Sequence, residues 1–152
     1  MNKAEKEITK NIDEHGCHVT SVFDPEEKDP NFTYTVGINR CEGKEELLIL
    51  GLRHELAFWI ANEYNRRVKA GENFVEGEFY EGFLEGFKVC FSRVAERYKK
   101  EFMLSCNWLY SGTQYPALQL IFPTVNGFWP WESEANSSFK KLQPSFQEIP
   151  AW

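Results

Sequence analysis

The stretch Leu47–Gly71, LLILGLRHELAFWIANEYNRRVKAG, decides the fold of this 152-residue chain. It opens with a continuous apolar run, residues 47–52, which is typical of a central strand buried on both faces. A helix is predicted directly after this strand, over about residues 53–70, because apolar residues recur there at helical spacing. These residues are Leu52, Leu56, Trp59, Ile60, Tyr64 and Val68. Gly71 is predicted to end the helix.

Strands outnumber helices in the rest of the chain. Helices are predicted over residues 3–14, with Gly16 as a left-handed cap, and over residues 97–110. Alternating or β-branched patterns predict strands over residues 17–23, 32–38, 74–80, 83–94 and 117–122. The order α-β-β-β-α-β-β-α-β favours an α+β fold, a mainly antiparallel sheet with two or three packed helices in a single domain.

The last twenty residues differ in composition from the rest. Residues 1–132 are predicted to form the α+β domain, and residues 133–152 a C-terminal tail that is richer in Ser, Pro and Gln. The tail still contains large apolar side chains, Phe139, Leu142, Phe146, Ile149 and Trp152. Because such side chains favour burial, we expect the tail to pack on the domain.

Charge restricts the partners that this chain can take. It carries 17 Lys and Arg against 23 Asp and Glu, a formal net charge of −6 at pH 7. An acidic surface repels the phosphates that supply most affinity for nucleic acid, and it repels anionic membranes as well. We therefore expect no nucleic-acid or membrane binding, which leaves small ligands and basic protein surfaces as partners.

The N-terminal stretch and the cysteines predict a cytoplasmic protein. Residues 1–16, MNKAEKEITKNIDEHG, are polar and charged, and they lack the apolar core of a signal peptide. Apolar runs such as Leu118–Phe122 are too short to span a bilayer. The four cysteines are scattered with no CxxC pair, so we expect free thiols in a reducing cytosol.

Histidine and cysteine near the N-terminus raise the question of a metal. His15, Cys17 and His18 lie within four residues, and imidazole and thiolate are ligands of zinc. Neighbouring residues of a strand point to opposite faces, however, and no pair has the spacing of a zinc finger. We therefore predict no metal site. The sequence has no GxSxG, HExxH or Walker motif either, so we predict no cofactor and assign no catalytic residue from motifs. His15 fits a helix C-terminus, where a cationic imidazole is favourable.

The acidic segment, residues 72–85, is the first candidate for a binding surface. It contains Glu72, Glu76, Glu78, Glu81 and Glu85. Two interpretations remain open, a solvated strand face and a patch that meets a basic partner.

Aromatic side chains form the second candidate. Phe, Tyr and Trp make up 16% of the chain. In the motif Trp129-Pro130-Trp131 the proline restricts the backbone between two large rings. The two rings either plug one end of the sheet or form a recognition surface that anchors a partner. Both interpretations are open at this point.

Four stretches together resemble the bacterial domain-of-unknown-function family 4262. They are residues 12–19 (IDEHGCHV), 32–38 (FTYTVGI), 46–51 (ELLILG) and 116–132 (PALQLIFPTVNGFWPWE). The resemblance covers about residues 8–132 and departs from the family pattern at Cys17 and Phe122, where Trp is common. It implies a cytoplasmic bacterial protein, and it brings no established activity. It marks as recurring residues His15, Gly16, His18, Tyr34, Thr35, Gly37, Gln119, Trp129, Pro130 and Trp131.

The polar members of that set suggest a pocket. If their strands are neighbours, His18, Thr35 and Gln119 could converge on one ligand, with His15 or His18 as an acid–base residue. The alternative is that these side chains satisfy buried backbone groups.

Three functions follow as hypotheses. The first is a non-enzymatic protein-binding module of immunity-protein type, which neutralises a toxin. Its carboxylates Glu76, Glu78 and Glu81 would meet a basic toxin surface, with Trp129 or Trp131 as anchor. The second is a small-molecule-binding protein or enzyme that uses the His18, Thr35 and Gln119 pocket. The third is a homodimer that buries the exposed aromatic side chains.

Overall fold

A computed structural model describes residues 1–26 and 30–152 of the chain. The described residues form six helices and six strands. The helices are α1 (Lys3–His15), α2 (Ile38–Glu42), α3 (His54–Lys69), α4 (Glu96–Phe102), α5 (Leu104–Leu109) and α6 (Ser137–Leu142). The strands are β1 (His18–Val22), β2 (Phe32–Val36), β3 (Glu46–Leu50), β4 (Tyr80–Leu84), β5 (Phe87–Arg93) and β6 (Ala117–Ile121).

All six strands belong to one mixed sheet in the order β1-β2-β3-β6-β5-β4. The central pair, β3 and β6, is parallel, and every other pair is antiparallel. The predicted α+β fold with a mainly antiparallel sheet is therefore confirmed. The number of helices is six in the described residues rather than two or three, because four short helices of five to seven residues were not predicted as separate elements.

Each face of the sheet packs against its own hydrophobic core. On one face, α3 contributes Ile60 and Tyr64, which are fully buried together with Leu47 and Ile49 of β3. On the other face, side chains of α1, α4 and α5 pack against Tyr34, Leu48 and Leu50. Because β3 is covered on both sides, all five of its residues are buried, as its continuous apolar run predicts.

Glycine determines how α1 and α2 begin and end. Gly16 caps α1 with φ of 82°, and its amide donates to the carbonyl of Ile12, as predicted. Gly37 precedes α2 with φ of 110°, in the left-handed region that disfavours a side chain. A Cβ at Gly37 would lie 2.7 Å from Cγ1 of Ile12. The sequence predicts a bulge or a close backbone approach at Gly37, and the structure shows the close approach.

Four local predictions are wrong. The strand expected over residues 83–94 is divided by a turn at residues 85–86, so its first two residues belong to β4 and β5 begins at Phe87. Residues 74–80 were expected to form a strand, but β4 begins only at Tyr80, because Phe74 reaches the core from an irregular segment. The helix expected over residues 97–110 is two helices, which meet at Met103 with a non-helical ψ of 57°. Trp59 was expected in the core of α3 and is 52% exposed, because the buried residues Ile60 and Tyr64 lie about 100° or more around the helix from it.

The C-terminal segment crosses the second face of the sheet. The side chain of Gln143 forms two hydrogen bonds with the backbone of Phe122, at 2.9 Å each. Gln119 in mid-strand accepts from the amide of Phe146 and donates to the carbonyl of Pro144. These bonds fix residues 143–146 against β6. In the part of the chain that the structure describes, no helix has the length and apolar character needed to cross a membrane.

Candidate functional site

A fully buried carboxylate lies where β2, α2 and β3 meet. Glu46 has no exposed surface, and five donors point at its two oxygens. Oε1 accepts from the hydroxyl of Thr35 at 2.8 Å and from the amide of Ile38 at 3.2 Å. Oε2 accepts from the amides of Gly37 and Asn39 and from the phenol of Tyr110. The left-handed backbone at residue 37 turns these three amides toward the carboxylate.

Groups of the protein itself fill the acceptor positions of the Glu46 carboxylate. Burial raises the pKa of Glu46, and the donors of Tyr110, Thr35 and the backbone oppose that rise. Burial and the neighbouring charge of Glu46 also raise the pKa of Tyr110, so the phenol remains a donor. Five donors occupy the lone pairs of the carboxylate, which leaves it no capacity for a substrate. We interpret Glu46 as a structural anchor that joins β3, the start of α2 and Tyr110 at the end of α5.

The structure gives the three residues of the predicted pocket separate partners. Thr35 donates to Glu46, while Gln119 is held by the C-terminal segment on both ends of its amide. Nδ1 of His18 lies 2.9 Å from the side-chain nitrogen of Asn11 on α1. None of these hydrogen bonds joins two of the three side chains. Thr35 and Gln119 satisfy buried polar groups, which was the alternative interpretation of the sequence.

The other predicted residues of the N-terminal region also have local contacts. The phenol oxygen of Tyr34 accepts from the amide of Ser105 at 3.0 Å. His15 is exposed at the end of α1, and its carbonyl accepts from Asn65 and Lys69 of α3. Burial raises the pKa of Cys17 to about 12, so its thiol stays protonated. Among residues 1–26 and 30–152, no three His, Cys, Asp or Glu side chains group closely enough to hold a metal ion.

The Trp-Pro-Trp motif forms an aromatic stack that is open on one side. The rings of Trp129 and Trp131 are parallel, with centroids 5.2 Å apart. Phe79 contacts Trp129 on one side, and Trp152 lies against Trp131 with centroids 6.2 Å apart. Pro130 is buried, whereas Trp131 is 43% exposed. The motif thus presents an aromatic surface that is partly open to solvent.

The acidic segment is divided by its contacts. Glu72, Glu76 and Glu78 have internal partners: the guanidinium of Arg67, the amide of Arg93 and the phenol of Tyr80. Glu81 and Glu85 are exposed, and none of the ion pairs among the described residues involves their carboxylates. Of the predicted binding residues, Glu76 and Glu78 therefore have structural contacts, and Glu81 is open to a partner.

Arg67 fastens this segment to α3. Its guanidinium donates to both carboxylate oxygens of Glu72, the longer bond measuring 2.7 Å, and to the carbonyl of Glu81 at 2.7 Å. It also lies 4.4 Å from the ring centroid of Phe83. Hydrogen bonds to the guanidinium lower the pKa of Glu72. The sequence shows Arg67 only as a cation in the last turn of a helix, and gives no sign of these contacts.

A groove runs between α3 and the β4–β5 hairpin. Its volume is about 760 Å³, and it is lined by Leu56 and Trp59 of α3 and by residues 81–88 of the hairpin. A second, apolar cavity of about 520 Å³ shares Leu56, Leu84 and Phe87 with the first. It continues between β6 and α6, where the lining includes Phe122, Phe128, Phe139 and Leu142. We call the two adjoining cavities the hairpin groove.

The lining of the hairpin groove is apolar, and its edge is acidic. Trp59 is half exposed at one end, and Val125 is 86% exposed near the other. The carboxylates of Glu81 and Glu85 lie along the hairpin wall, where Lys88 is the one cation among the described lining residues. This combination of apolar surface and negative charge is suited to binding. Glu81 is among the predicted binding residues and lines this groove, whereas Trp59 is not among them, because helical periodicity assigns its ring to the apolar face of α3.

These features define an α+β domain with a saturated structural carboxylate and an acidic, apolar groove. The family model of the domain of unknown function DUF4262 matches residues 11–136, and the chain belongs to this family. The resemblance found in the sequence is thereby confirmed. No curated protein and no solved structure shows a significant match to the chain.

Proposed function

We propose that this protein is a non-enzymatic protein-binding module whose hairpin groove takes a basic, amphipathic segment of a partner. The observation that carries this proposal is the lining of the groove by Leu56, Trp59 and Phe87 beside the carboxylates of Glu81 and Glu85. Apolar side chains of a partner would fill the groove, and its Lys or Arg side chains would reach the two carboxylates.

The negative charge beside the hairpin groove favours a basic, amphipathic segment over an acidic or a neutral one. The chain has a net charge of −6, and Glu81 and Glu85 have no ion-pair partner among the described residues. An acidic partner segment would meet these carboxylates with like charge, which opposes binding. A neutral apolar segment would leave them without compensation. A segment with apolar residues on one side and cations on the other fits both parts of the surface.

A direct test uses a synthetic peptide. We expect an amphipathic peptide of about 14 residues, built from Leu and Lys with helical spacing, to bind the full chain in isothermal titration calorimetry. A scrambled peptide of the same composition is expected to bind at least about tenfold more weakly, because its apolar side chains no longer share one face. Equal binding of the two peptides would contradict the proposal, since it would indicate charge attraction without use of the groove.

Variants locate the binding. The double variant Glu81→Gln with Glu85→Gln, and separately Trp59→Ala, are each expected to weaken the amphipathic peptide by about tenfold. The matched control is Glu7→Gln with Glu101→Gln, which removes two exposed carboxylates from helices on the other face of the sheet. The proposal fails if the control pair weakens binding as much as the groove pair does.

We propose further that the natural partner is a toxin, as in immunity proteins of this size and charge. Support comes from the acidic net charge, which suits a basic toxin surface, and from the apolar lining of the groove, which is typical of a protein-interaction surface. The expected result is a tight 1:1 complex with the product of a neighbouring gene, measured by light scattering after co-expression. If no neighbouring gene product binds while the amphipathic peptide does, the groove proposal stands and the toxin proposal falls.

A further inference from the structure

We propose that a cavity beside Trp131 binds the ammonium group of a small alkylamine. The cavity has a volume of about 290 Å³ and lies between β5, the segment before β4 and the C-terminal segment. Its lining includes Glu76, Phe79, Cys90, Ser92, Trp131 and Gln147. None of its lining residues belongs to the hairpin groove, so this inference does not depend on the proposed function.

Ser92 gives the cavity a polar group that the protein leaves unused. The residue is 5% exposed, and its Oγ has no hydrogen-bond partner among the described residues. Its neighbour across the strand pair, Gln119, uses both ends of its amide on the C-terminal segment. Because a buried hydroxyl without a partner is costly, a ligand that bonds to Ser92 removes that cost.

Glu76 makes a cationic ligand favourable. Oε1 of its carboxylate accepts from the amide of Arg93 at 2.7 Å. Oε2 lies 3.7 Å from Nε of Arg93, beyond hydrogen-bond distance, in a pair whose side chains are about half exposed. Such an exposed pair contributes little, so Oε2 can accept from another donor. A primary ammonium ion has three N–H donors, enough for Glu76 and Ser92 together.

Two aromatic rings complete the environment of a cation. Phe79 and Trp131 are 50% and 43% exposed and line the same cavity. Aromatic faces attract an ammonium ion, and Trp does so most strongly. Trp131 is held in place by its parallel stack on Trp129, so the ring needs no ordering when a ligand binds.

The remaining wall limits the ligand to a short alkyl chain. Cys90 and Ile121 are buried and contribute apolar surface. Burial raises the pKa of Cys90 to about 12, so its thiol is neutral and adds no second negative charge. A volume of about 290 Å³ lies at the lower limit of ligand pockets, which fits an amine with few carbon atoms.

The test is a titration of the ¹⁵N-labelled full chain with butylammonium, followed by amide and indole chemical shifts. We expect saturable shifts at Gly77 and at the indole N–H of Trp131. Butan-1-ol, which has the same chain length and no charge, is expected to bind at least about tenfold more weakly. The absence of saturable shifts, or equal binding of the alcohol, would overturn the proposal.

Three variants test the assignment of residues. Glu76→Gln keeps an acceptor for the amide of Arg93 and is expected to weaken butylammonium about tenfold. Glu78→Gln is the matched control, because this nearby carboxylate does not line the cavity, and it should leave the affinity unchanged. Ser92→Ala is expected to weaken binding without lowering the thermal midpoint of the free protein. If Glu76→Gln and Glu78→Gln weaken butylammonium binding equally, the binding results from general charge attraction, and the proposed site is refuted.

A second ligand distinguishes the two sources of an alkylammonium group. Nα-acetyl-lysine N-methylamide carries the same four-carbon ammonium chain on a peptide backbone. Affinity equal to that of butylammonium indicates a lysine side chain of a partner protein as the natural ligand. If the lysine derivative binds more weakly than butylammonium, the natural ligand is a free amine, because the peptide backbone then does not fit at the mouth of the cavity.

Discussion

The carboxylate of Glu46 and the carboxylates of the acidic segment lie on the same domain and are used in opposite ways. Glu46 is completely buried and accepts hydrogen bonds from five donors. Glu81 and Glu85 are exposed beside an apolar groove and form none of the ion pairs among the described residues. The first carboxylate organises the backbone, and the other two remain available to a partner.

The comparison shows where a function is to be sought in this fold. Polar residues that draw attention in the sequence, such as Thr35 and Gln119, are occupied by the protein's own groups. A group whose lone pairs are already filled cannot recognise a ligand without breaking native bonds. Among the described residues, Glu81 and Glu85 at the β4–β5 hairpin have no ion-pair partner, and the hydroxyl of Ser92 beside Trp131 has no hydrogen-bond partner. Both places lie toward the edge of the sheet opposite β1.

The largest predicted effect is the loss of the buried carboxylate. Glu46→Gln replaces an acceptor oxygen with an NH₂ donor that faces the donors of Thr35, Tyr110 and the α2 amides. We expect the free energy of unfolding to fall by about 3 kcal/mol, because several buried donors lose their acceptor. Urea-induced unfolding followed by circular dichroism measures this change.

The matched control for that variant is its neighbour. Glu45 is half-buried, and the bond described at this residue uses its backbone carbonyl, which accepts from Tyr64. Glu45→Gln is therefore expected to change stability by less than about 0.5 kcal/mol. If both variants cost the same, Glu46 is not the anchor that its geometry indicates.

The central elements of the fold were predictable from local pattern. The apolar run that contains β3 and the helical spacing of α3 placed both elements within one or two residues. Patterns failed where packing overrides local preference. Phe74 reaches the core without strand geometry and contacts the rings of Tyr64 and Phe91. Such a contact depends on residues up to 17 positions away in the chain and leaves no periodic signal.

The candidate site was predictable only in part. The acidic run predicts Glu81 as a binding residue, because charge runs are visible in sequence, and the structure places Glu81 in the lining of the hairpin groove. Glu46 was missed, although a single carboxylate at the start of an apolar run is itself a signal that a buried charge needs partners. Its phenol donor, Tyr110, lies 64 residues further along the chain. No reading of local sequence brings such residues together.

A smaller effect is predicted for the ion pair between Arg67 and Glu72 of the acidic segment. Arg67→Lys loses the bidentate bonds to Glu72, the bond to the carbonyl of Glu81 and the contact with Phe83. We expect a loss of about 1–2 kcal/mol in the free energy of unfolding, because lysine cannot reproduce this geometry. Arg66→Lys is the control: that neighbouring guanidinium is exposed, and its hydrogen bonds within the described residues all go to Glu63. This variant should lie within about 0.5 kcal/mol of wild type.

The same pair predicts a pH dependence. Arg67 lowers the pKa of Glu72 below the ordinary value of 4.5, so the unfolded chain takes up a proton at higher pH than the folded chain does. The stability that the pair contributes is therefore present above pH 4.5 and is lost as the pH falls through the pKa of the folded state. The difference in stability between wild type and Glu72→Gln should shrink between pH 5 and pH 3. A constant difference over this range would indicate that the charge of Glu72 is not involved.

The smallest effect on stability is predicted for the carboxylates of the hairpin groove, and it is the most informative one for function. Glu81→Gln with Glu85→Gln is expected to change the free energy of unfolding by less than about 0.5 kcal/mol, since neither carboxylate has an ion-pair partner among the described residues. The same double variant is expected to weaken the amphipathic Leu/Lys peptide by about tenfold. Urea unfolding and calorimetry on one preparation give both numbers. A large loss of stability would show that the two carboxylates support the hairpin as Glu46 supports α2, and their exposure would then not mark a binding surface.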